Sequence, residues 1–156
     1  MQRRELFPIL GAAVAAAAPA EYKPRALSAS QYATLDRILD LLLPADVASP
    51  GAKEAGVAMY IDTTLTHGDA AMRQVWIAGL QAFEGKSAAE CTALLLRLAE
   101  KETNPSTEAE KFFVILKQSA INAYYLSDAG RRSLGYHGDH AIHDFPGCTH
   151  VEHKGS

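Results

Sequence analysis

The sequence predicts an all-α protein, a bundle of about five helices with an irregular C-terminal tail. Three observations predict it. Apolar residues recur at spacings of three and four through most of the chain, the period of one helical face. Three Ser/Thr-x-x-Glu/Gln words, Ser28–Gln31, Ser87–Glu90 and Thr107–Glu110, each stand just ahead of such a run, where capping boxes belong. Strand-like alternation never persists beyond a few residues, and no internal repeat is visible.

Residues 1–20, MQRRELFPILGAAVAAAAPA, stand apart from that domain. Arg3 and Arg4 make a short positive start, and Leu6 to Ala18 is apolar and alanine-rich. Ala18-Pro19-Ala20 then supplies the small-x-small pattern that signal peptidase accepts. The layout is that of an export signal, and its apolar run is short for a membrane span. Adjacent arginines ahead of a mild apolar region point to the twin-arginine route, which carries folded proteins. Leu6 stands where that motif prefers phenylalanine and no lysine follows, so an ordinary signal is the alternative. Membrane association is expected only through an uncleaved signal or through a complex.

The helices follow in order over residues 21–134. Ser28 opens the first by capping an orphan amide while Gln31 reaches back, and Tyr32, Leu35, Ile38, Leu39 and Leu42 form its inner face. Pro44 ends it, because a proline ring cannot continue the turn. Beyond the loop ADVASPG, a second helix turns Val57, Tyr60, Ile61 and Leu65 inward and stops at Gly68. A third starts near Asp69 and buries Met72, Val75, Trp76, Leu80 and Phe83 before Gly85. Ser87 and Glu90 open a fourth, with Leu94, Leu95 and Leu98 on its face. Thr107 and Glu110 precede the longest run, Ala109 to Leu126, in which Phe112, Phe113, Ile115, Leu116, Ala120 and Tyr124 supply core. Ser127 restarts a short helical turn, Asp128 to Leu134.

From Gly135 onward the helical period is lost, with four glycines and one proline in twenty-two residues. A structureless stretch of that length is uncommon in a compact domain unless it serves a function or is disordered. Tyr136, Ile142, Phe145 and Pro146 are apolar residues a purely solvated tail would not need. Residues 135–156 therefore read as a tail that wraps over a surface, its own or a partner's.

Composition limits the chemistry. Without Arg3, Arg4 and Glu5 the fifteen Lys+Arg and eighteen Asp+Glu become thirteen and seventeen, a net charge of −4 with histidine neutral. No basic patch stands out, so nucleic acid is not an expected partner. Cys91 and Cys148 are too few for a disulfide scaffold; they could form one bridge after export, or Cys91 could be a buried thiol. His137, His140 and His143 recur every three residues, with Cys148 and His150 nearby, and these are zinc or copper ligand types. Nothing there resembles a CxxC or HExxH word, so a metal-binding tail is the alternative to a polar docking loop. Ser119, Ser127 and Ser133 sit in no nucleophile elbow, and the glycines near 135–147 follow no strand. Asp36 and Asp40, four apart on the first helix, read as a solvated face. No catalytic residue is assigned.

Several segments together resemble a known family. MQRRELF, "LDRILDLLLPAD…SPGAKEAGVAMYID" and "FFVILKQSAINAYYLSDAGRRSLGYHGDH…FPGC" are similar to the gluconate 2-dehydrogenase subunit 3 family. The resemblance implies a small accessory subunit of an exported sugar or polyol dehydrogenase. It places FAD and the catalytic residues in a large partner subunit of the glucose–methanol–choline type, and haem c in a further cytochrome c subunit. It further implies a periplasmic location, and twin-arginine export that carries the folded flavoprotein out with this chain. On that reading residues 135–156 dock on the partner through Tyr136, Gly138, Phe145, Pro146, Gly147 and Cys148.

Overall fold

The computed structural model describes residues 22–47, 49–136 and 138. All regular elements among them are helical: α1 (Ala29–Leu42), α2 (Val57–His67), α3 (Ala70–Gln81), α4 (Ala88–Ala99), α5 (Glu108–Leu126) and the short α6 (Asp128–Ser133). The three capping boxes form as the local chemistry dictates. Ser28, Ser87 and Thr107 accept from the amides of Gln31, Glu90 and Glu110, whose side chains accept in return from the cap amides. Asp69 caps α3 through the Met72 amide at 2.7 Å.

Helix α5 is the hub, packing on α2, α3, α4 and α6, while α1 closes the bundle against α2, α3 and α4. Leu35, Ile38, Val57, Leu65, Leu80, Phe83 and Leu116 are almost wholly removed from water between them. Cys91 is also fully buried, its thiol pointing at the Phe83 carbonyl oxygen 3.9 Å away, so it is a core side chain. Gly79 lets α3 and α5 approach closely. A Cβ there would lie 2.2 Å from the Phe112 ring, which meets Trp76 edge-on at 5.5 Å. The Tyr124 hydroxyl donates to the Pro50 carbonyl at 2.8 Å and holds the α1–α2 loop down on the end of α5.

Four residues expected inside lie at the surface. Tyr60, Met72, Val75 and Ile115 are 43%, 44%, 45% and 39% exposed. Helical spacing locates an apolar stripe but not the width of it that neighbouring helices cover. These four occupy the stripe edges of α2, α3 and α5, along one side of the bundle.

The Glu110 cap carries a pH dependence. Backbone amides of Thr107 and Ser106, with the Ser106 hydroxyl, hold the Glu110 carboxyl down at about 2. A carboxylate depressed in the fold contributes stability that is complete above its ordinary value of 4.5 and is lost as pH falls towards about 2. Glu110→Gln should therefore flatten the fall in urea midpoint between those two pH values, and an unchanged slope would show that the cap does not couple to unfolding.

Candidate functional site

Two features of the fold are not explained by core packing alone. The first is a buried carboxylate. Asp62 lies on the inner stripe of α2 with Ala58, Ile61 and Leu65 and is fully buried. Its oxygens collect four donors from the segment ahead of α1. The Tyr22 hydroxyl donates to Oδ2 at 2.8 Å and the Arg25 amide to Oδ2 at 2.8 Å. The Ala26 and Leu27 amides donate to Oδ1 at 3.1 and 2.9 Å. A buried carboxylate is costly unless it is saturated in this way. Asp62 is thus a clasp fastening residues 22–27 across α2. Tyr22 packs at 5.4 Å against Tyr32, whose hydroxyl is pushed up to about 12 by burial, with Asp36 nearby adding to the effect.

The second feature is an apolar groove between α2, α3 and α5, enclosing about 720 Å³. Ile61, Leu65 and Trp76 form its floor, and Tyr60, Met72, Val75, Ile115, Tyr125 and Leu126 its walls. Its polar lining is Thr64, Ser119 and Asn122. Thr64 already donates to the Tyr60 carbonyl, and Asn122 accepts from Gln118. A shallower hollow continues past Tyr60 and Met72 to His67.

The residues singled out from the sequence are distributed differently. Tyr136 is 38% exposed just after α6; its amide donates to the Arg131 carbonyl at 3.1 Å, and the Arg131 guanidinium carbon stands 5.8 Å from its ring centre. Gly138 is exposed with φ +111°, a conformation open to glycine. His137, His140, His143, Phe145, Pro146, Gly147, Cys148 and His150 lie outside the described residues, as do Arg3, Arg4, Ala18 and Ala20. Asp36 faces Lys53 at 3.9 Å, whereas Asp40 is exposed. Ser127 caps α6 by accepting from the Gly130 amide, Ser133 donates to the Gly130 carbonyl, and only Ser119 reaches the groove. Among the described residues no three His, Cys, Asp or Glu side chains converge on a point, and no helix is long and apolar enough to cross a membrane.

Sequence reading missed both features. The signal for Asp62 was present, since a charged residue stands at an inward slot of the stripe Ala58, Ile61, Asp62, Leu65. The groove left a fainter trace, an apolar stripe on α3 broader than one neighbouring helix covers.

Neither a curated protein nor a solved structure matches the chain. The family model described as gluconate 2-dehydrogenase subunit 3 matches residues 29–138. That span runs from the first residue of α1 through α6 to Gly138, and so takes in every helix and the groove between them. The chain belongs to the gluconate 2-dehydrogenase subunit 3 family.

Proposed function

We propose that this chain is the non-catalytic small subunit of an exported, FAD-dependent sugar dehydrogenase of the glucose–methanol–choline type, and that it supports the stability, maturation and export of the flavoprotein subunit. The family match over the helical domain carries the reading, because it makes the chain a subunit of a dehydrogenase complex. FAD and the catalytic residues belong to the large partner subunit in this reading. The arginine pair and apolar run of residues 1–20 support export by the twin-arginine route to the periplasm, with the folded flavoprotein carried out alongside. A cytochrome c subunit takes the electrons onward in this reading.

Purification of the chain from its host through a C-terminal tag tests the proposal. The expected product is a stoichiometric complex with a much larger chain, showing flavin absorption and sugar-dependent reduction of an artificial acceptor. Deleting residues 1–20 should then leave that flavoprotein in the cytoplasm. A colourless lone chain would overturn the subunit role, and normal export after the deletion would overturn the carrier role.

A further inference from the structure

We propose that the Asp62 clasp governs removal of the export signal: signal peptidase reaches the bond after Ala20 only while residues 22–27 stand free of α2. The inference rests on the export reading of residues 1–20 given above. The Ala18-Pro19-Ala20 word puts the bond to be cut between Ala20 and Glu21. A peptidase holds its substrate extended on both sides of that bond, so it needs backbone that is not already held elsewhere.

Tyr22 is only the second residue beyond the bond, and the fold has already fixed it. Its hydroxyl donates to Asp62 at 2.8 Å and lies 3.4 Å from the Thr63 hydroxyl, while its ring packs on Tyr32 at 5.4 Å. A few residues on, the Arg25, Ala26 and Leu27 amides close on the same carboxylate, and the Leu27 side chain is 5% exposed in the core. Pro24 stands between the two grips with its φ locked, which leaves little slack for Tyr22 to lift off alone. Lifting the whole segment strands a buried carboxylate without its donors, so opening is an all-or-none event.

Cleavage of a folded substrate follows the population of its opened form when opening and closing are fast. The clasp therefore couples processing to the export route. Its two halves lie 35 to 40 positions apart in the chain, so a chain threaded unfolded meets the peptidase with the clasp unmade. A chain carried across folded arrives with the clasp closed, and it stays attached to its signal until residues 22–27 open.

The test uses the full chain, purified folded with residues 1–20 intact, and purified signal peptidase in detergent, with mass spectrometry following the cut. A flexible Gly/Ser spacer of about six residues inserted between Glu21 and Tyr22 preserves both the cleavage word and the clasp but separates them. The spacer chain should be cut at least about tenfold faster than wild type, since wild type must first release several hydrogen bonds. Its urea midpoint should equal that of wild type. Asp62→Asn, which loosens the clasp, should be cut at an intermediate rate. Equal rates for wild type and the spacer chain would overturn control by the clasp. A spacer chain left uncut would overturn the proposal at its root, because the bond after Ala20 would not be a cleavage site. Neither result touches the subunit role, which is read from flavin in the purified complex.

Discussion

An Asp62→Ala chain is expected to lose about 3–5 kcal/mol of unfolding free energy, on the order of 10–20 °C in midpoint for a domain of this size. Truncation leaves the Arg25, Ala26 and Leu27 amides without their acceptor, and the Leu27 amide is buried. Each orphaned buried donor costs about 1–3 kcal/mol, with water reaching the outer ones reducing the sum. Asp62→Asn should fall between wild type and alanine, because one acceptor oxygen remains while an NH2 group confronts N–H donors. Tyr22→Phe removes a partly buried bond to Asp62 and a longer, exposed one to Thr63, and should cost about 1 kcal/mol. Urea titration of the four proteins at neutral pH measures all of this. A loss below about 1 kcal/mol for alanine would mean that residues 22–27 are held by something other than Asp62.

Gly79→Ala should destabilise the protein by about 2 kcal/mol although alanine is the better helix former by about 1 kcal/mol. Propensity and packing predict opposite signs here, which makes the substitution informative. The new Cβ would sit 2.2 Å from ring atoms of Phe112, and the ring cannot swing aside without leaving Trp76. Either α3 moves off α5 or the aromatic pair separates, and the core loses contacts in both cases. In a Phe112→Leu background the same substitution should cost at least about 1 kcal/mol less, a coupling that a double-mutant cycle resolves. A stabilised Gly79→Ala chain would show that α3 and α5 are not pressed together at this point.

What could be read from the sequence was chemistry that completes itself within a few residues. Ser28 with Gln31, Ser87 with Glu90 and Thr107 with Glu110 close their caps inside one turn, so the starts of α1, α4 and α5 were legible. The all-α class follows from the same local signals and from the three-and-four spacing. What escaped was chemistry that joins distant parts of the chain. Asp62 meets residues 35 to 40 positions earlier, and nothing in MYIDTTL names its donors. Gly79 looks like a weak point in a helix until Phe112 is set against it. Tyr60, Met72, Val75 and Ile115 share the periodicity of true core residues, and only the placement of neighbouring helices separates the two groups. The family resemblance was carried by words such as Gly56 to Asp62 and Tyr124 to Ser127, which the structure puts at the Asp62 clasp and at the α5–α6 junction.

The neutral lining of the groove has a thermodynamic consequence. Association through charged rims weakens steeply as salt is added, because counterions screen the attraction. A contact made by Trp76, Val75, Ile115 and Leu126 has almost nothing for salt to screen. Its signature is calorimetric, a negative heat-capacity change whose size follows the apolar area removed from water. Hydrophobic attraction fades on cooling, so any occupant of this groove would be held about as well in concentrated buffer and less well in the cold.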